Sequence, residues 1–72
     1  MFRAEWRDIK KAILECLKDD NYGKTIIEII RKTGLNPNAV IYMIETLIND
    51  NIIEYRQIST RIRLYRIKQQ AI

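Results

Sequence analysis

Residues 24–53, KTIIEIIRKTGLNPNAVIYMIETLINDNII, decide how this chain is read. Ile26, Ile29, Ile30 and Thr33 recur at three- and four-residue spacing, which gathers one face of a short helix for burial. Thr25 precedes that run and Glu28 follows three residues later. This is the pattern of a capping box, in which hydroxyl and carboxylate each satisfy a backbone N–H of the helix start. Gly34 comes after the last periodic residue, where a left-handed C-cap favours a residue without Cβ. Asn36 then offers an N-cap oxygen, and Pro37 at the first helical position loses no hydrogen bond. In the helix that follows, Val40, Ile44, Leu47 and Ile48 form the inner side, with Ile41 at its edge. Asn38, Tyr42, Glu45, Thr46 and Asn49 fall on the opposite, polar side, and Asn49-Asp50-Asn51 closes the element.

Working outward, residues 4–18 read as a helix with Trp6, Ile9, Ile13, Cys16 and Leu17 as its buried stripe and Ala12 and Leu14 at its flanks. Arg3, Arg7, Lys11 and Lys18 share another face, with Lys10 near it and acidic residues interspersed. Asp8 and Lys11 are spaced to pair, and mixed faces of this kind are normally solvated. Residues 19–23 (DDNYG) form a turn cluster. On the other side, residues 52–58 and 61–67 read as two paired strands, with Ser59 and Thr60 left for a loose connection. In the second strand Ile62 and Leu64 share one face while Tyr65 and Ile67 share the other. That calls for a bulge that switches faces, or for a second subunit covering one pair.

Two amphipathic helices joined by a short turn make a helix-turn-helix, whose second helix enters the DNA major groove in its best-known use. The placement of Ile29, Gly34, Leu35, Val40, Ile44, Leu47 and Ile52-Ile53 resembles the winged helix-turn-helix family of small bacterial, archaeal and archaeal-virus transcription regulators. The resemblance spans nearly the whole chain. It implies an α+β fold: three helices and a C-terminal β-hairpin wing in one domain over residues 1–72. The helix-turn-helix would cover 25–50 and the wing 52–68, with a short strand near Gly23 completing the sheet. It also implies double-stranded DNA as partner, helix three in the major groove, and a wing on the DNA backbone or reaching the minor groove. Arg61 and Arg63 at the tip, together with Arg56, match the wing's role.

Charge agrees with a polyanionic partner. The formal net charge of +4 is unevenly spread. Residues 1–24 hold six basic and five acidic side chains, and residues 25–51 hold two and three. In the last segment Arg56, Arg61, Arg63, Arg66 and Lys68 face Glu54 alone, so the excess lies in the hairpin. For base readout the polar side of helix three supplies four candidates: Asn38 for adenine, Thr46 for a thymine methyl, Glu45 for cytosine N4, and Tyr42 for base or phosphate. That side carries no Arg or Lys, which favours A·T-rich sites or shape readout over guanine recognition. Lys24 and Thr25, at the start of helix two, are candidates for a phosphate contact.

Other classes are poorly served. With no histidine and a single cysteine, Cys16, neither a zinc site nor an intrachain disulfide is available, and no cofactor is expected. Cys16 reads as a small buried hydrophobe. There is no nucleophile with an evident base and no Gly-rich phosphate loop, so catalysis is not expected. No apolar run reaches membrane-spanning length, and residues 1–11 lack the apolar middle of a signal peptide, which points to a cytoplasmic location (a host's, if the chain is viral). A homodimer on a pseudo-palindromic site is expected from the small core, from Phe2 and Trp6 near one end (which otherwise cap the core), and from Ala71 and Ile72 at the other. The competing reading is a winged-helix protein-interaction module presenting Ile41, Tyr42 and Met43.

Overall fold

The structure, a computed structural model, describes residues 5–18, 20 and 22–68. Three helices, α1 (Trp6–Leu17), α2 (Ile26–Thr33) and α3 (Pro37–Asn49), precede an antiparallel hairpin of β1 (Ile53–Gln57) and β2 (Arg63–Ile67). This is the expected α+β winged helix-turn-helix. α1 begins at Trp6, after the expected start at Ala4, because Glu5 is its extended N-cap; Ala4, Arg3, Phe2, Ala71 and Ile72 lie outside the described residues.

The local signals around α2 act as read. Thr25 Oγ1 accepts from the Glu28 N–H at 3.3 Å, and Glu28 Oε1 accepts from the Thr25 N–H at 3.2 Å, completing the capping box. Gly34 ends α2 at φ 69°, its N–H donating to the Ile30 carbonyl at 2.9 Å. Asn36 Oδ1 caps α3 by accepting from the Asn38 N–H at 2.8 Å, with Pro37 at the first helical position. At the far end of α3, Asn51 takes the left-handed conformation (φ 60°) that turns the chain into β1.

The core joins Ile9, Ile13 and Leu17 of α1, Ile29 of α2, and Val40, Met43, Ile44 and Leu47 of α3. Ile53 and Tyr65 of the hairpin close it, and no polar side chain is buried among the described residues. Several expectations need correction. Met43 is 5% exposed and belongs to the core, because it lies three residues after Val40 and four before Leu47, on the same stripe. Trp6 is 53% exposed, since it stands one turn beyond Ile9 and its ring lies on Tyr42 of α3 instead (centroids 5.1 Å apart). Cys16 and Ile48 are only partly buried, packed against the core. The expected Asp8–Lys11 ion pair is absent among the described residues.

The strands pair from Ile53↔Ile67 to Gln57↔Arg63 without interruption, so no bulge switches faces. Tyr65 and Ile67 pack with Ile53 on the core side. Glu54, Arg56, Leu64 and Arg66 alternate to the other side. The strands are shorter than expected because residues 58–62 form the tip, closed by the Ile58 N–H donating to the Ile62 carbonyl at 2.9 Å. The short third strand expected near Gly23 is reduced to a single isolated bridge between Lys24 and Tyr65 of β2. The Lys24 N–H donates to the Tyr65 carbonyl at 2.9 Å and its carbonyl accepts from the Tyr65 N–H at 2.8 Å.

Candidate nucleic-acid interface

The outward side of α3 is built by helical spacing and lacks positive charge. Asn38, Glu45 and Asn49 are exposed, Tyr42 is 60% exposed, and Thr46 is partly exposed. The Thr46 hydroxyl donates to the Tyr42 carbonyl at 3.0 Å, so its proton is used within the helix and its remaining outward capacity is an acceptor and a methyl. The side chains of Asn38 and Glu45 have no partner among the described residues and keep their full hydrogen-bonding capacity. Trp6 extends this surface from α1 through its tilted contact with Tyr42.

The wing carries the cations, and aromatic rings hold two of them. The Arg63 guanidinium lies 4.6 Å from the Tyr55 ring centroid, and its Nε donates to Gln57 Oε1 at 3.0 Å. Tyr55 is diagonal to Arg63 across the strand pair, a placement fixed by the register. Arg56 stands on the opposite face, 6.0 Å over the Tyr22 ring. The side chain of Arg61, at the tip, is exposed and without an ion-pair partner among the described residues. Arg66 differs: its Nε bonds Glu54 Oε1 at 3.0 Å, which neutralises it locally. The unpaired positive charge of the hairpin is therefore carried by Arg56, Arg61 and Arg63, with Lys68 just past the end of β2. The supporting roles of Tyr22 and Tyr55 were missed from sequence, although a known register would have put Tyr55 beside Arg63.

A cleft of about 550 Å³ separates the wing from the start of α2. Thr25, Ile26 and Ile27 line one wall, and Arg61, Ile62 and Arg63 line the other. The fold thus brings Thr25, Arg61 and Arg63 to one place, while Asn38, Tyr42, Glu45 and Thr46 share the outer side of α3. Lys24 joins neither group. Its ammonium is bonded to Asp20 and its side chain is 12% exposed, so the phosphate contact considered for it has no free cation behind it. The Asp20 carboxylate holds the Lys24 pKa above its ordinary 10.5. In return, the Lys24 hydrogen bond, helped by the Gly23 N–H, holds Asp20 below its ordinary 3.8. At Thr25 the capping carboxylate of Glu28 already occupies the helix start, which weakens its attraction for an anion.

A polar helix face without cations and an arginine-bearing hairpin on a three-helix core define a helix-turn-helix with a wing. The chain belongs to the winged helix-turn-helix DNA-binding family, whose model matches residues 7–54. No curated protein sequence matches the chain. Among solved structures, the Giardia lamblia Hop2-Mnd1 complex contains a similar fold, with a TM-score of 0.76 and 22% identity over 92% of this chain. The chain spans 41% of that neighbour's length, and the likeness is one of fold.

Proposed function

We propose that the chain is a sequence-specific double-stranded DNA-binding protein acting as a transcription regulator. The winged-helix domain occupies residues 1–72, with the helix-turn-helix at 25–50 and the wing at 52–68. α3 enters the major groove and the wing lies on the backbone. The observation that carries this reading is a division of labour between two elements: hydrogen-bonding groups without a cation on the outer side of α3, and guanidinium groups without ion-pair partners at Arg56, Arg61 and Arg63 on the hairpin. Phosphate contacts supply affinity and register, while base-edge contacts supply sequence. Asn38, Tyr42, Glu45 and Thr46 read bases or the adjoining backbone. Thr25 is a minor backbone contact beside Arg61 and Arg63, and Lys24 serves the fold. With no cation on the reading face, A·T-rich or shape-selected sites are favoured. Binding, not catalysis, is the activity, and the protein works as a homodimer on a pseudo-palindromic site in the cytoplasm.

Selection from a random duplex library, read by sequencing, should return an A·T-rich consensus. Replacing Arg61 and Arg63 together by Ala should weaken binding to all sequences alike and flatten the log–log salt slope by about 0.9 per arginine. A changed consensus with an unchanged slope would remove the backbone role. Failure to bind any duplex at about 50 mM salt would favour the protein-interaction reading. That reading has lost one of its three surface residues, because Met43 is in the core. A sedimentation mass of one chain at micromolar concentration, without DNA, would refute the homodimer.

A further inference from the structure

Along α1 runs a second surface that the DNA reading leaves unused. A shallow groove of about 400 Å³ lies between α1 and the end of β2, floored by Leu14 and Ile67. Arg7, Lys10, Lys11 and Lys18 rim it, against the single carboxylate of Glu15. No residue of α3 or of the wing tip lines it. Its lysines are not neutralised internally: Lys10, Lys11 and Lys18 have no ion-pair partner among the described residues, and Arg7 meets only Glu5, at 3.5 Å on an open surface.

We propose that this groove docks an acidic amphipathic helical segment of a partner protein. Arg7 and Lys18 are eleven residues apart, so the cations span about 16 Å along the helix axis, or three turns. An apolar floor between rows of ammonium groups suits a helix that presents carboxylates on its flanks and leucine-like residues in its centre. Duplex DNA would answer the charge but leave Leu14 and Ile67 without an apolar partner. A second copy of this chain is a poor match, because none of its helices is acidic along its flanks: α1 and α2 each carry more cations than carboxylates, and α3 has Glu45 as its single charged side chain. Such a site would let the protein hold DNA on one side and a partner on the other.

The test uses a fluorescein-labelled 14-residue peptide with Glu and Leu at amphipathic helical spacing, followed by anisotropy at low salt. Two charge reversals alter net charge equally on different surfaces: Lys10→Glu with Lys11→Glu on α1, and Arg61→Glu with Arg63→Glu on the wing. The α1 variant should bind the peptide about tenfold more weakly, and the wing variant within about twofold of the unmodified protein. An all-Glu peptide of equal length should bind the unmodified protein about fivefold more weakly than the amphipathic one. Lys10→Gln with Lys11→Gln, checked by circular dichroism, should shift affinity the same way by a smaller factor if charge reversal disturbs the fold. Equal losses in both reversals would reduce the effect to net charge and overturn the proposal, as would no binding of the peptide to the unmodified protein. A loss of random-duplex affinity in the α1 variant with peptide binding intact would reassign the groove to DNA. A dimer that the α1 variant converts to monomer would reassign it to a second copy.

Discussion

The two turns that flank α2 each hold a glycine at positive φ, and they need it for different reasons. At Gly34 (φ 69°) the requirement is local: a left-handed residue ends the helix, and nothing lies within 4 Å of where a Cβ would stand. At Gly23 (φ 108°) the backbone conformation is again unsuited to other residues, but neighbours also intervene. A Cβ there would lie 3.0 Å from Leu64 Cβ and 3.2 Å from the Tyr65 carbonyl oxygen. The same turn is bound by Asp20, whose Oδ1 accepts from the N–H groups of Tyr22 (3.0 Å) and Gly23 (2.9 Å). Its Oδ2 holds Lys24, which then pairs with β2. One turn sets the start of α3 by its own residues; the other fastens the wing to the helices through residues distant in sequence.

The largest expected effect is therefore at Gly23. Gly23→Ala should cost about 3 kcal/mol, combining an unfavourable φ with a close contact on β2. Thermal unfolding should move down by about 10–20 °C. Asp20→Ala should come next, at about 2 kcal/mol near neutral pH, because it removes charge-assisted bonds to two backbone N–H groups and to Lys24. Its pH dependence has a definite sign. Asp20 is held below 3.8, so its contribution is full above that value and fades as pH falls through the lowered pKa. Lys24 is held above 10.5, so its contribution is full below that value and fades as pH rises through the raised pKa. Denaturant unfolding should thus show a constant gap between the protein and Asp20→Ala between about pH 4 and pH 10, narrowing on both sides. The smallest of the three is Gly34→Ala, at about 1 kcal/mol, since only the backbone conformation is strained. Should Gly34→Ala prove as damaging as Gly23→Ala, the contrast between local and tertiary demand would be lost.

The comparison sharpens when binding is measured. Gly23→Ala loosens the anchor of the arginine hairpin, so surviving folded protein should lose more random-duplex affinity than sequence discrimination. Replacing Asn38 or Glu45 by Ala should do the reverse. Discrimination at one base position should fall by about 1–3 kcal/mol while the salt slope holds.

Legibility in the sequence followed the same division. The capping box, Gly34, Asn36-Pro37 and the outer side of α3 were all readable, since each depends on neighbours within a helical turn or two. Trp6 and Met43 were misplaced for different reasons. Met43 sits on a stripe that periodicity could have revealed, whereas the exposure of Trp6 depends on where α1 runs past α3. Lys24 looked like a free cation until Asp20, four residues earlier, was seen to bind it. The settings of Arg56 and Arg63 on tyrosine rings depend on the path of the chain across the hairpin and on its register.

By itself the sequence determined three helices, the ends of α2 and the start of α3, the order of elements and the concentration of arginine in the hairpin, because capping, periodicity and charge act over short distances. The tertiary structure decided which cations remain free, which aromatic rings stay uncovered, and that a side chain at Gly23 would press on β2. Those outcomes depend on which surfaces meet when α1, α3 and the hairpin close around one core.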